Sequence, residues 1–403
     1  MLPVLRVLIL THRVPFPQNG GYPIVVGNTI KGLVNHGHQV SLISININKH
    51  NDRAQTRDEL LDHIRYTEYK IDTRITVAEF FSNLFTTNAY KINKYHDQAF
   101  EKILIKDIQE NHYDIIQFEG LFVAPYLSAI RKATKARLVF RSHNIEHQVW
   151  HKLAQQKSDP IKRWFLHQIA KRVKRYELGL LNQFDGILVF TGQDEHTMTN
   201  LGNKTPICVL PIGVELGKYK PDYSRSQFPS MFFLGSLDWL PNKEGIEWFL
   251  DNFHKEIVDG DINARFYLAG NNIPEEYDEY DAMGKVFIQG ELDDALEFIN
   301  SRSIMIVPLL SGGGMRVKII EGMAMQKCII STSIGAEGIL AEHGKNIIIA
   351  NNADEFYKAM LQCISNEDYC KQIGQNARKL IEELHDVDHI TGRLIHFYQS
   401  ILN

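Results

Sequence analysis

No stretch of the 403 residues approaches the ~20 consecutive apolar positions that a bilayer-crossing helix requires, so a helical membrane span is excluded. The first apolar run, Val4 to Leu10, has the length of a strand and carries no cleavage-site pattern, so a cytoplasmic chain is expected. Cysteine is scarce. The four thiols, Cys208, Cys328, Cys363 and Cys370, lack paired metal spacing, which argues against a disulfide framework or zinc ligands and for reduced core residues. A formal net charge of −4 argues against a dedicated nucleic-acid binder. The P-loop lysine pattern is also missing, which disfavours an ordinary NTPase.

What is present is an ordinary globular composition, 44% hydrophobic and 23% charged. The length suits two domains of roughly 150–200 residues each. Short β-branched runs alternate with helical periods at Val4–Leu10, Val40–Ile45, Ile115–Phe118, Leu138–Phe140, Gly186–Phe190 and Ile207–Leu210. Such alternation predicts a parallel sheet covered by helices on both faces. The pattern pauses at Pro211-Ile212-Gly213-Val214 and the Pro- and Ser-containing stretch to Ser230. It resumes at Met231–Leu234, Arg265–Ala269, Val286–Gln289, Ile304–Pro308, Ile329–Thr332 and Ile347–Ala350. We therefore expect an α/β protein with a first domain over 1–214, a linker over 215–230 and a second domain over 231–385. Three helical stretches follow from Asp354, Asp368 and Val387, and the last, over 386–403, is expected to return to the first domain.

In open parallel sheets, ligands bind beyond the carboxyl ends of the strands, where helix N-termini offer free N–H groups. The most informative segment of this kind is Val307-Pro308-Leu309-Leu310-Ser311-Gly312-Gly313-Gly314-Met315-Arg316-Val317-Lys318. A buried strand ends in three glycines and enters a helix, so backbone amides can approach a phosphate closely. Arg316 and Lys318 fall where a helix start disfavours cations unless an anion binds, which points to a diphosphate. Glu321, further along the helix, can accept hydrogen bonds from a pair of sugar hydroxyls. A glycine-rich turn with a solvated basic helix start would read the same way.

Two segments of the first half also follow strands. Gly20 and Gly21 close a Pro-bearing loop and can take unusual backbone angles. His143, in Phe140-Arg141-Ser142-His143-Asn144-Ile145-Glu146-His147, can exchange protons near neutrality. The same residues also fit the H-x-x-E-H pattern of inverzincin metallopeptidases, which needs both histidines on one helical face and a third zinc ligand. Glu119, in Gln117-Phe118-Glu119-Gly120, is another strand-end carboxylate and a candidate acceptor contact.

Val307 to Ala336 resembles the donor-site signature of GT-B-fold glycosyltransferases of family 4, the glycosyl transferases group 1. Similarity extends to Gly20-Gly21, to Gly37-His38-Gln39-Val40, to Pro211-Ile212-Gly213-Val214 and to Leu234-Gly235-Ser236-Leu237-Asp238-Trp239. The resemblance implies two Rossmann-like domains facing each other across a cleft. It also implies retaining, hexosyl-type transfer from a nucleoside diphosphate sugar, a UDP- or GDP-sugar, to a glycan or lipid-linked hydroxyl in cell-surface polysaccharide synthesis.

Within that family two glutamates are separated by seven intervening residues; Glu321 matches the second, which contacts the ribose, and the first falls at Gly313. The usual arginine of the first strand-end motif is Ser236, while Lys243 lies near the place of its partner lysine. The resemblance puts His143 beside the donor sugar, with Asn144 and Glu146 as neighbours on the acceptor side, and makes His143 and Glu321 the catalytic candidates. Gly20, Gly21, Ser236, Lys243 and the run Gly312, Gly313, Gly314, Met315, Arg316 and Lys318 become donor-binding candidates. Arg316 and Lys318 would replace the missing cation. No Asp-x-Asp pair stands beside the glycines, so no metal and no cofactor are expected.

Basic residues heavily outnumber acidic ones from Arg131 to Arg175, interleaved with Trp164 and Phe165. Such a helix can lie on an anionic membrane, giving a peripheral position on its inner face; a solvated helix has the same composition. A nucleotide-sugar epimerase, or a nucleotide-sugar-binding protein without turnover, would fit the same motifs.

Overall fold

The computed structural model describes residues 3–18, 20–47, 59–71, 92, 94–281 and 284–403. The chain divides into two compact units, the first comprising 1–213 and 387–403 and the second 214–386.

In the first unit the elements run β1 (Arg6–Thr11), α1 (Gly21–Asn35), β2 (Gln39–Ile47), β3 (Arg65–Ile71), α2 (Gln98–Asn111), β4 (Ile115–Glu119), α3 (Leu127–Ala133), β5 (Arg137–Arg141), α4 (Glu146–Gln155), α5 (Pro160–Leu180), β6 (Gly186–Val189), α6 (Gly192–Asn200) and β7 (Ile207–Val209). The strands form one parallel sheet in the order β3-β2-β1-β4-β5-β6-β7, the doubly wound arrangement. Helix starts are fixed locally. Asp97 caps α2 by accepting from the Phe100 amide, and Asp159 caps α5 ahead of Pro160. The register aligns Thr11 with Glu119 and Glu119 with Arg141, so the loops after β1, β4 and β5 leave the sheet side by side.

Strand β3 has no counterpart among the expected strands. It is an edge strand of half-buried residues, Arg65-Tyr66-Thr67-Glu68-Tyr69-Lys70-Ile71, and one covered face needs no continuous apolar run.

The second unit contains β8 (Gln227–Leu234), α7 (Leu240–Asp259), β9 (Arg265–Ala269), β10 (Val286–Gly290), α8 (Ala295–Asn300), β11 (Arg302–Val307), α9 (Val317–Ala324), β12 (Cys328–Ser331), β13 (Ile348–Ile349), α10 (Ala353–Ile364) and α11 (Glu367–Leu384). Its parallel sheet has the order β10-β9-β8-β11-β12-β13. Both units are thus Rossmann-like, as expected. The final helix, α12 (Val387–Leu402), belongs to the first unit: Leu394, Ile395, Phe397 and Tyr398 join the apolar cluster between α1 and the sheet. Gly32 of α1 makes room for Thr391, whose Oγ1 would lie 2.1 Å from a Cβ there.

The cysteines, scattered in sequence, are less so in space. Cys328, Cys363 and Cys370 converge in the buried core of the second unit, with Cys328 and Cys363 sulfurs 3.8 Å apart. They form the only group of three or more potential metal ligands among the described residues, and no fourth donor joins them. Contact with Cys363, together with burial, pushes the Cys328 and Cys370 thiols up, while their hydrogen bonds pull Cys363 down.

Helix α7 packs so closely on the loop after β11 that a Cβ on Gly245 would stand 2.4 Å from the Pro308 carbonyl oxygen. Gly245→Ala should therefore displace that loop and cost about 1–3 kcal/mol. Lower thermal stability with unchanged circular dichroism is the expected outcome; an unaltered melting temperature would show that the helix and loop can separate freely.

Candidate functional site

Chemistry-bearing side chains gather at the carboxyl ends of the strands in each unit. In the second unit the chain leaves β11 through Gly312 and Gly314, at φ 104° and 81°, where a side chain would be strained. Arg316 is the N-cap of α9 and folds back over this bend. Its Nη1 donates to the Gly313 and Gly314 carbonyls, and its guanidinium lies 5.5 Å from the Trp239 ring centre. The Nε and Nη2 groups are buried and have no partner among the described residues. An arginine enclosed beside a helix N-terminus with two idle donors fits an anionic ligand.

Lys318 stands one residue into the helix. Its Nζ donates to Asn242 Oδ1 at 2.9 Å and lies 4.1 Å from the Phe233 ring centre. Gly235 makes the space, since a Cβ there would come within 2.3 Å of that Nζ. Burial, reinforced by the Arg316 charge, pulls the Lys318 pKa down to about 7. Glu321 accepts from the Tyr219 hydroxyl at 2.9 Å; burial raises its pKa, while that bond and Lys318 oppose the rise.

Not every donor-binding candidate joins this group. Lys243 pairs with Glu276 at 3.2 Å and Glu247 at 3.7 Å, and shares no partner with Arg316 or Lys318. The Ser236 hydroxyl donates to Asp238 and has the Asn271 carbonyl within reach at 3.0 Å, tying down the turn after β8. Its carbonyl accepts from Asn242, so Ser236 supports the residue that holds Lys318. Met315 is buried beside Arg316. Trp239, Asn242 and Tyr219 carried no assignment in the sequence reading. Their signal was proximity to the strand-end motif and the linker, which does not say which way a side chain turns.

In the first unit the centre is Glu119, wholly shielded from solvent. His143 Nε2 donates to its Oε2 at 2.7 Å, and Gln117 Nε2 donates to its Oε1, with Arg141 Nη1 at 3.8 Å from the same oxygen. Burial alone would raise the Glu119 pKa, but Arg141, His143 and Gln117 outweigh it and hold the group below its ordinary value. Burial lowers the His143 pKa against the pull of Glu119, so the imidazole is neutral at pH 7, with its proton on Nε2 and Nδ1 free to accept. Both Glu119 oxygens, expected to reach an acceptor, are engaged within the protein, where the carboxylate holds His143.

The loop after β1 adds His12, and the first turn of α1 adds Tyr22. Both reach the Glu119 carbonyl at 3.4 Å, and the Tyr22 ring centre lies 4.6 Å from that of His143, the planes tilted by 40°. Burial, with help from Arg13 and His143, drops the His12 pKa to about 3. The Arg13 guanidinium covers Tyr22 at 4.4 Å, and its buried Nε has no partner among the described residues. Gly20 does not use the freedom expected of it: its φ of 168° is extended backbone, and a Cβ there would meet nothing nearer than Pro23 Cδ at 3.9 Å. Gly21 opens α1 as an ordinary helical residue. The glycine that matters here is Gly120, at φ 93°, packed between His12 and His143.

The H-x-x-E-H reading fails on geometry. His143 precedes α4 and is held by Glu119, whereas His147 lies within the helix with its Nδ1 2.6 Å from Glu177. Glu146 has its amide bound by Glu177, and its carboxyl is bonded by Asn144. Burial and the Glu177 charge raise its pKa to about 7.

Residues 19–218 match the family described as Glycosyltransferase Family 4, and residues 228–366 match Glycosyl transferases group 1. A Klebsiella pneumoniae protein described as an uncharacterized 44.6 kDa protein in a cps region is 24% identical over 392 residues, covering 94% of this chain and 96% of that one. Among solved structures, sucrose-phosphate synthase from Thermosynechococcus elongatus superposes with a TM-score of 0.73 at 16% identity, covering 98% of this chain and 99% of its own. HepE of Anabaena, solved in complex with UDP-glucose, superposes with a TM-score of 0.64 at 14% identity, covering 98% and 100%. At these identities the structural likeness is one of fold.

The depressed Lys318 pKa has a consequence for stability. Between pH 7 and the ordinary lysine value of 10.5 the unfolded chain binds the proton that the folded chain has lost, so this residue makes stability rise with pH across that window. Lys318→Met should melt several degrees above the wild type near pH 7. Thermal denaturation is expected to show that margin shrinking toward pH 10, and a margin independent of pH would contradict the assignment.

Proposed function

Because the chain belongs to the group 1 glycosyl transferases of the family 4 type and is a glycosyltransferase of GT-B fold, we propose that it transfers a hexosyl residue from a UDP- or GDP-sugar to a hydroxyl of a glycan or lipid-linked acceptor, with retention at the anomeric carbon and no divalent metal. The second unit is the donor side and the first the acceptor side. The anomeric bond to the diphosphate breaks, a bond to the acceptor oxygen forms, and the hydroxyl proton leaves with the diphosphate.

The observation that carries this reading is the buried Arg316 guanidinium, with two unused donors at the triglycine bend. A diphosphate seated there meets Arg316, the free amides at the start of α9 and the Lys318 ammonium, all positive where the leaving group becomes negative. These groups do the work that a metal ion would otherwise do. Glu321 takes the ribose hydroxyls, and His143, oriented by Glu119, takes a hydroxyl of the transferring sugar through Nδ1. The complex of HepE with UDP-glucose supports a nucleotide-sugar donor, and the cps-region relative supports a role in cell-surface polysaccharide synthesis.

Incubation with UDP- and GDP-sugars and a lipid-linked acceptor in the presence of chelator should yield a glycoside with the donor's anomeric configuration. An isomerised donor, or binding without turnover, would replace this reading. Arg316→Ala should raise the donor KM by about tenfold or more, since a charged hydrogen bond contributes about 1.5–3 kcal/mol; an unchanged KM would remove Arg316 from the donor site.

The acceptor side carries its own surface feature. At the start of α5, Ile161 and Trp164 are 77% and 60% exposed, one turn apart, beside exposed Lys162 and Arg163 and followed by exposed Lys171, Lys174 and Arg175. Apolar tips within a basic stretch suit an anionic membrane surface, with each basic residue contributing about 1 kcal/mol. The protein is then cytoplasmic and peripheral, and no helix among the described residues is long and apolar enough to cross a membrane. Sedimentation with phosphatidylglycerol vesicles at low salt should fall about tenfold or more in the Ile161→Ser, Trp164→Ser double variant; equal sedimentation would place the membrane contact elsewhere.

A further inference from the structure

Gln117 is an oddity of strand β4, a polar residue at the centre of Ile115-Ile116-Gln117-Phe118-Glu119, all five of which are buried. Tyr398 is its counterpart on α12, a phenol with no solvent exposure among Leu394, Ile395 and Phe397. The two meet: the Tyr398 hydroxyl donates to Gln117 Oε1, and Gln117 Nε2 donates to Glu119 Oε1. Glu119 Oε2 then accepts from His143 at 2.7 Å. One hydrogen-bonded chain therefore runs from the C-terminal helix to the imidazole.

We propose that Tyr398, acting through Gln117, is a positioning residue that holds the Glu119–His143 pair in the state needed for glycosyl transfer. The proposal rests on the role given to His143 above.

The physical basis is the two-ended carboxamide. Gln117 can present either its NH2 or its oxygen to Glu119, and only the NH2 stabilises the carboxylate. Tyr398 decides between them. Burial pushes its pKa well up, so the phenol stays protonated and offers its hydrogen, which only the Gln117 oxygen can take. The amide is thereby locked with its NH2 toward Glu119. If the phenol is removed, the buried amide oxygen loses its donor and the flipped amide becomes competitive, with its oxygen facing the carboxylate.

Glu119 Oε1 then relies on Arg141 at 3.8 Å, and Arg141 is itself committed to Thr29 Oγ1 at 2.7 Å. His143 feels the change directly. The groups facing it are Glu119 from β4, Arg141 from β5, His12 and Arg13 from the loop after β1, and the rings of Tyr22 and Phe190; Glu119 is the only acid among them.

The test uses the full-length protein with selectively 15N-labelled histidine, together with steady-state transfer kinetics. Tyr398→Phe keeps the ring and should fold, with a cooperative melt. Its kcat should fall about tenfold with the donor KM changed less than about twofold, the mark of lost orientation rather than lost binding. The His143 nitrogen signals should move from a pure Nε2–H tautomer toward a mixture. A residue serving packing alone would leave those signals in place.

Unchanged kcat and unchanged His143 signals in Tyr398→Phe would overturn the proposal. Should that variant fail to fold, Gln117→Leu breaks the same chain from the strand side and must show the same movement of the His143 signals, and their constancy would equally overturn it. Full activity of His143→Ala would instead overturn the catalytic role of His143. That failure is recognisable separately, because Tyr398→Phe would still move the nitrogen signals while leaving kcat alone.

Discussion

A carboxylate taken wholly out of water must be matched by donors or it will not stay charged, and Glu119 is such a carboxylate. It is met from both sides. Arg141 and His143 come from the next strand and its loop, and Gln117 comes from two residues back along its own strand. Gln117 in turn requires Tyr398. One charge thus determines how β4, β5 and α12 must lie together in the first unit, and the parallel register supplies the alignment.

The second unit presents the complementary problem. Arg316 and Lys318 are cations buried at the start of a short helix, against its dipole, and the protein answers them only in part. Carbonyls of the glycine bend and the Asn242 oxygen take one hydrogen bond here and there, while two guanidinium nitrogens are left idle. Around Glu119 the first unit completes its charge network internally, whereas the Arg316 guanidinium of the second keeps two nitrogens without a partner among the described residues. That contrast accords with an orienting pair in the first unit and with the anion site proposed for the second.

Much of this was legible in the sequence where the physics is local. Alternation of strand and helix signals reports burial periodicity, and it identified the two parallel α/β units. The glycines at 312 and 314 were legible because a positive φ selects for glycine along the chain itself. Edge strand β3 was not, since a half-covered strand with Arg65, Glu68 and Lys70 resembles a loop. Gly20 misled for the reverse reason: glycine permits unusual angles without requiring them. Glu119 was recognised as a strand-end acid, but its complete burial and its bond to His143 were not, because pattern does not report partners.

By itself the sequence determined the doubly wound class of each half, the glycine bend before Arg316 and the strand-end position of His143, because periodicity, glycine and strand-end position act over a few neighbouring residues. Only the tertiary structure decided which side chains meet. Tyr398 and Gln117 are 281 residues apart, Tyr219 and Glu321 are 102 apart, and Lys318 and Asn242 are 76 apart. Such pairs depend on strand order and helix return, which bring distant segments within the 3 Å reach of a hydrogen bond, and no local pattern encodes that distance.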